Sequence, residues 1–238
     1  MRLWLDAALS ILFAPQCASC GDALAQPTAG PACQRCWQSI LPLSPPLCIR
    51  CGDLLPAVRR AEPSCPRCCA HPPAFTRAGA AGQYEGVLRD LVHALKYNGR
   101  RSLARGLATL MRERCGSLIA GCDLAVAVPL HPSKRRARGF NQAEDLARPL
   151  GLPLARALRR RRRTEAQADL SAERRIENVR AAFTPGRDYR RIIGRTVLLV
   201  DDVTTTGATL HECATALRAG GAADVWAVTA ARAVTRWR

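Results

Sequence analysis

Aromatic residues make up only 5% of this 238-residue chain, and lysine occurs just twice, at Lys96 and Lys134. So few aromatic faces argue against recognition of single-stranded nucleic acid through stacked bases. No apolar run approaches the roughly 20 residues needed to cross a bilayer. The N-terminal stretch LWLDAALSILFAP (3–15) is interrupted by Asp6 and ends at Pro15 without a small-residue cleavage site. It reads as an amphipathic opening helix rather than a secretory signal, and the chain is expected in the cytoplasm. Acidic residues are scarce too: 19 stand against 36 basic ones, for a formal charge of +17 and a pI near 10.4. That balance admits an anionic partner (a phosphorylated small molecule, a nucleic acid or an anionic membrane surface) as well as a merely solvated arginine-rich surface.

Cysteine is the opposite case. There are twelve, and eight fall into four C-x2-C turns: Cys17/Cys20, Cys33/Cys36, Cys48/Cys51 and Cys65/Cys68. Two such turns present four sulfurs to one ion, the geometry of a structural tetrahedral zinc site. Disulfides, an iron–sulfur cluster and unliganded thiols are the competing readings. Four turns combine into two sites in three ways; sequential pairing is the working assumption. Gly21 and Gly52 follow two of the turns, where a tight bend calls for positive φ. Cys69 and His71 lie close by but read as bystanders. Eight thiolates on two zinc ions would lower the net charge to about +13.

The cysteine- and proline-rich residues 1–72 contrast with 73–238, and the paired prolines of AHPPAFTRAG (70–79) mark the expected boundary. Past it, GVLRDLVHALKY (86–97) and SLARGLATLMRERCG (102–116) have helical apolar spacing, the second ending at glycine. The apolar runs CDLAVAVPL (122–130), TVLLV (196–200) and DVWAVTAA (224–231) suit buried parallel strands. Helices are expected over NQAEDLARPLG (141–151) and from Ala208 to Ala219. The alternation implies an α/β fold: a mostly parallel sheet flanked by helices, preceded by a small irregular zinc module. HPSKRRARGFNQ (131–142) reads as a cationic loop with Gly139 as a hinge. Arg159–Arg163 reads as a solvated charge run or nucleic-acid contact rather than a catalytic part.

The stretch VLLVDDVTTTGATL (197–210) carries the chemistry. A buried strand ends at Asp201 and Asp202, and TTTGAT (204–209) then opens a helix. Threonine hydroxyls and backbone N–H groups around Gly207 can wrap a phosphate at a helix N-terminus. Two acids beside a bare phosphate would repel it; they make sense as acceptors for vicinal hydroxyls attached to it, as in a ribose 5-phosphate. A turn cap with an ordinary N-cap is the plain alternative. An EF-hand loop lacks its alternating acids here, and a Walker A loop lacks its Gly-Lys-Ser/Thr.

This stretch resembles the phosphoribosyl-diphosphate (PRPP) signature of type I phosphoribosyltransferases. Together with LKY (95–97), VPLHPSKRRARGFNQAEDLAR (128–148), QADLSAERRIENVRAAF (167–183) and the cysteine turns, it makes the whole chain similar to the ComF family of competence-protein-F-like phosphoribosyltransferases. The resemblance implies roles. Asp201 and Asp202 hold the ribose hydroxyls, and Thr205, Thr206, Gly207, Ala208 and Thr209 hold the 5-phosphate. Val128, Pro129 and Leu130, with Lys134 and Arg135 nearby, take the pyrophosphate. The segment Gln167–Asn178, with Arg175 and Asn178, resembles the mobile loop over the reacting centre. Lys96 and Tyr97 match the family pattern, with helix packing as the plain reading. The implied cofactors are structural zinc and Mg²⁺ bound with PRPP. The implied activity is 5-phosphoribosyl transfer with pyrophosphate release, linked to competence and DNA uptake. The alternative is a non-catalytic protein binding single-stranded DNA through its zinc module and basic surface, with competence-machinery proteins as further partners. Neither a general base nor the acceptor is legible; the acceptor-binding hood is expected within residues 73–121.

Overall fold

A computed structural model describes residues 4, 6, 14–55, 63–161 and 181–235. Most of the expected opening helix, and all of the segment carrying Arg175 and Asn178, lie outside the described residues.

The N-terminal part is a structural repeat. CASCGDAL (17–24) and CIRCGDLL (48–55) fold alike, each closed by an isolated antiparallel bridge, Gln16 to Ala23 and Leu47 to Leu54. In each, the glycine after the turn takes positive φ (+76° at Gly21, +69° at Gly52), which a glycine adopts without strain. Short helices complete the two units, α1 (Gln34–Gln38) and α2 (Pro66–Ala70).

Beyond them lies a four-stranded, wholly parallel sheet of β1 (Arg77–Ala80), β2 (Leu124–Ala127), β5 (Thr196–Thr204) and β6 (Asp224–Arg232), in the order β1-β6-β5-β2. A short antiparallel hairpin, β3 (Leu158–Arg160) and β4 (Phe183–Pro185), stands apart. Helices α3 (Gly86–Tyr97), α4 (Leu103–Ala120), α5 (Pro132–Arg138), α6 (Gln142–Ala147) and α7 (Ala208–Ala219) connect the strands. The central strand β5 is apolar and fully buried from Val197 to Val200, as a strand covered on both faces must be. Its two-residue period sorts its side chains. Leu198 and Val200 pack with α3, α4 and α6, while Val197 and Leu199 pack with α7. The first zinc unit shares the former core through Leu24 and Ile40, and the second shares the latter beside Phe75.

Three expectations need correcting. The second helix does not end at Gly116: α4 runs to Ala120 across a break in helical dihedrals at Cys115. The close approach that requires glycine comes at Gly121, where a Cβ would lie 2.3 Å from the Trp226 ring. The basic stretch after β2 is not a loop but the helix α5, with Pro132 in its first turn, the His131 ring accepting from the Ser133 N–H, and Gly139 (φ +80°) ending it. Lysine and arginine are good helix formers, so basic composition alone did not argue for a loop. Within the arginine run, Arg160 is not solvated. It is buried on β3 with its guanidinium over the Phe183 ring. The strand β1 and the β3–β4 hairpin, too short to leave a periodic signal, were not anticipated.

Candidate functional site

The strand β5 does not stop at the two acids but carries them as its sixth and seventh residues and continues to Thr204. The alternation that sorts the core therefore sends Asp202 to the α3 side and Asp201 to the α7 side. On the α3 side Lys96 reaches in from the last turn of its helix, and its Nζ sits 2.7 Å from Asp202 Oδ1. Asp202 Oδ2 is buried without a hydrogen-bond partner among the described residues. Asp201 accepts from the backbone N–H of Asp202 at 2.9 Å. Burial, then repulsion from Asp202, pushes its carboxyl up to about 7, against the pull of Lys96 and Arg160.

After Thr204 the chain turns through Thr205 and Thr206 to Gly207, whose φ of +81° starts the 12-residue helix α7. Thr206 Oγ1 accepts from the Ala208 N–H at 3.3 Å, shaping the turn. The segment joining the second zinc unit to β1 backs this turn. Phe75 lies beneath Gly207, and the Ala74 N–H donates to His211 Nδ1 on α7 at 3.1 Å. The turn thus places N–H groups and hydroxyls at a helix N-terminus, at the carboxyl end of a central parallel strand, the position where α/β sheets hold ligands.

Register brings the other expected loop alongside. Ala127 pairs with Val200, so Val128, Pro129 and Leu130 leave β2 next to the diacid. Buried Asn141 pins that loop: its Nδ2 donates to the Val128 carbonyl while its Oδ1 caps α6 at the Ala143 N–H. Pro129 and Leu130 open onto a cavity of about 500 Å³ that Arg135, Arg156, Arg159 and Arg160 also line. Glu144, nearly buried, anchors two of these arginines, Arg135 at 3.5 Å and Arg156 at 3.5 Å, and also pairs with Arg148 at 3.4 Å. Of the expected cations, Arg135 faces this cavity; Lys134 is on the same helix but does not line it. Lys96, Glu144, Arg156 and Arg160 are site residues that the sequence alone did not assign. Lys96 had left a signal as part of the LKY pattern and Glu144 as part of the 128–148 stretch, while Arg160 stood only in the arginine run.

The cysteines gather as sequential pairing requires: Cys17, Cys20, Cys33 and Cys36 in one cluster, Cys48, Cys51, Cys65 and Cys68 in another, with the sulfurs of each within 4.8 Å of one another. Zinc–sulfur bonds of about 2.3 Å in a tetrahedron set sulfurs about 3.8 Å apart. The sulfurs lie 3.7 Å apart for Cys17–Cys36 and Cys51–Cys65 and 3.8 Å for Cys20–Cys33. Backbone N–H groups support the sulfurs identically in the two clusters, Cys33 to Cys17 and Cys65 to Cys48, each at 3.3 Å. Burial raises Cys17, yet the backbone N–H groups of Cys33, Ser19 and Cys20 outweigh it and bring the thiol down to about 6, while burial and the neighbouring sulfurs push Cys36 up to about 12. The donor set fits zinc. Cys69 stays outside both clusters, its thiol turned to the Ser64 carbonyl.

Sheet, glycine turn and cysteine cages together define a phosphoribosyl transferase-type domain behind a pair of zinc ribbons. Comparison with known families agrees: the phosphoribosyl transferase domain family matches residues 136–237, and the double zinc ribbon domain family matches residues 8–69. The chain is 37% identical over 191 residues to the DNA utilization protein YhgH of Escherichia coli K12, covering 75% of this chain and 81% of that protein. It is 31% identical over 211 residues to Competence protein F of Haemophilus influenzae Rd, covering 84% and 90% respectively. Among solved structures, an allosteric regulatory enzyme of purine biosynthesis aligns at 21% identity and a TM-score of 0.37, over 55% of this chain and 26% of that one. The chain belongs to the ComF family, the competence-protein-F-like proteins with a phosphoribosyl transferase domain. Among the described residues, no helix is long and apolar enough to cross a membrane.

Proposed function

We propose that the protein binds PRPP with Mg²⁺ at the carboxyl end of β5 and transfers its 5-phosphoribosyl group to an acceptor, releasing pyrophosphate, in the service of DNA uptake. One observation carries this reading. The acids of β5 and the Thr205–Thr209 turn at the head of α7 form a single edge, with the loop of Val128, Pro129 and Leu130 beside it.

The chemistry follows from that arrangement. As the bond from C1 to the diphosphate breaks, the sugar becomes oxocarbenium-like and the leaving group gains negative charge. Asp201 and Asp202 hold the ribose hydroxyls, and the turn of Thr205, Thr206, Gly207, Ala208 and Thr209 anchors the 5-phosphate. Val128, Pro129 and Leu130 offer backbone to the diphosphate, while Arg135 and Lys134 on α5 offer charge. Arg175 belongs to the segment assigned to cover the centre, outside the described residues. Mg²⁺, bound with the diphosphate, would neutralise its charge. Asp202 Oδ2, without a hydrogen-bond partner among the described residues, is an oxygen that either a cation or a hydroxyl would satisfy. The zinc ribbons, over residues 1–72, are scaffold: four sulfurs fill each site and leave no position for a reacting group. None of the twelve cysteines forms a disulfide, which suits a reducing compartment, and we assign the protein to the cytoplasm.

A second reading has its own observation. The arginine-lined cavity and the net charge favour contact with a nucleic-acid backbone, so the fold could serve single-stranded DNA binding without turnover. Calorimetry with PRPP, with and without Mg²⁺, decides between them. Mg²⁺-assisted binding is expected in the wild type and absent from Asp201→Asn/Asp202→Asn. Equal binding or none in both proteins refutes the PRPP reading and leaves the DNA reading, tested with labelled oligonucleotides.

A further inference from the structure

Helix α3 spends its apolar face on the core, with Leu88, Leu91, Val92 and Leu95 all buried. The next residue, Lys96, also turns inward, with only 17% of its side chain exposed against 6% for Asp202. Burying an ammonium is costly unless it is paired, and a helix meant only to pack would place an apolar residue here. In a chain whose other basic residues are arginine, apart from Lys134, this position holds a lysine. A compact ammonium makes one close ion contact, whereas a guanidinium fork brings five donors that need partners. Loss of hydration would lower Lys96, but the charge of Asp202, with a further contribution from Asp201, outweighs it and keeps the group protonated.

The pair is asymmetric. Lys96 takes Oδ1 of Asp202 and leaves Oδ2 buried without a partner among the described residues. A buried carboxylate oxygen left unsatisfied is costly, and a hydroxyl donor arriving with a ligand would remove that cost. Asp201 faces the other side of the strand, where Lys96 and, more weakly, Arg160 act on it only through their charge.

Resting on the PRPP reading, we propose that Lys96 is a positioning residue: by holding Oδ1 it keeps the Asp202 carboxylate turned so that Oδ2 meets a ribose hydroxyl. The site thereby favours a sugar phosphate over bare phosphate. The ligand class that uses Lys96 is a phosphate ester carrying vicinal hydroxyls; inorganic phosphate uses only the turn of residues 205–209.

The test is calorimetry on the zinc-loaded protein with two probes, ribose 5-phosphate and inorganic phosphate. Lys96→Met is expected to weaken ribose 5-phosphate binding at least tenfold while changing inorganic phosphate binding less than twofold. Asp202→Asn is expected to bring ribose 5-phosphate down to the affinity of inorganic phosphate, and adding Lys96→Met to it to change nothing further, because Lys96 acts through Asp202. Should Lys96→Met alone fail to fold, the double variant, which buries no uncompensated charge, carries the test. Wild-type affinity for ribose 5-phosphate in Lys96→Met overturns the inference. So does an equal loss for both probes, which marks a structural role, or a double variant more than threefold weaker than Asp202→Asn. A wild type that binds inorganic phosphate but prefers ribose 5-phosphate not at all refutes the PRPP reading itself, and the inference with it.

Discussion

Replacing Arg232 with methionine tests how the second zinc ribbon is fastened to the sheet. Arg232, the last residue of β6, is 2% exposed, and Asp53, after the third cysteine turn, is fully buried. The guanidinium lies 3.0 Å from Asp53 Oδ2, and its Nη1 donates to the Cys51 carbonyl at 2.7 Å. Removing one partner of a buried ion pair costs about 3–5 kcal/mol, because the other is left charged and unpaired. Here Thr235 still donates to Asp53 through its hydroxyl at 2.6 Å, and Arg67 stands at 3.3 Å. The lower end, about 3 kcal/mol, is therefore expected, a fall in Tm of about 6–12 °C for a chain of this size. The pH dependence gives a sharper check. Burial alone would raise Asp53, but the hydrogen bonds and charge of Arg232 outweigh it and hold the carboxyl below its ordinary value. In the wild type this contributes stability present above the unfolded carboxylate pKa of about 3.9 and lost as pH falls through the folded value. Without Arg232, burial raises Asp53, so the deficit of the variant is full at neutral pH, begins to shrink as pH falls through the raised carboxyl of the variant, above about 3.9, and is smallest below the lowered carboxyl of the wild type. Denaturant and thermal melts followed by circular dichroism from pH 3 to pH 8 measure this. Adding Asp53→Asn to Arg232→Met should recover part of the loss. A deficit under about 1 kcal/mol, or one of constant size across that pH range, refutes the reasoning.

Two further outcomes are expected. Each chain is expected to bind two zinc ions, and a chromogenic chelator should remove them at different rates, because Cys20 of the first cluster is exposed whereas all four cysteines of the second are buried. Cys20→Ser should abolish the fast phase alone; a single phase from the wild type contradicts the assignment. Gly207→Ala should cost about 1–2 kcal/mol, since φ is +81° there. Phe75 leaves the new methyl 3.8 Å of room, so the strain is in the backbone alone. Inorganic phosphate binding should weaken with it, and an unchanged affinity would mean that phosphate does not use this turn.

Spacing and alternation determined much of this protein directly. Four C-x2-C turns are local, and each dictates its own two ligands, so metal binding was legible before any fold was known, whereas which turns share an ion was not. The strand of Val197–Val200, the acids after it and the glycine of the turn were legible for the same reason: a buried strand must be apolar, and a helix start at positive φ calls for glycine. The helices before β2 could be read from their apolar faces, but the end of α4 could not. Gly116 stops a helix only if nothing beyond it packs, and Ile119 does pack into the core.

Tertiary structure decided the rest, because partners far apart in the chain leave no pattern along it. Asp22 and Asp53 occupy the same place in two copies of one repeat and follow the same Cys-Gly step. One pairs with Arg35 at the surface, while the other is buried against Arg232, 179 residues away along the chain. Likewise the run at Arg159–Arg163 looks uniform, yet Arg160 is drawn inward by the hairpin partner Phe183. The two adjacent acids read as one unit in the sequence. The pleat of β5 separates them, giving Asp202 a direct ion pair with Lys96 and leaving Asp201 on the other face with only the longer-range charge of Lys96 and Arg160. A two-residue period says that neighbours part, but only the packing of helices on the sheet says what each one meets.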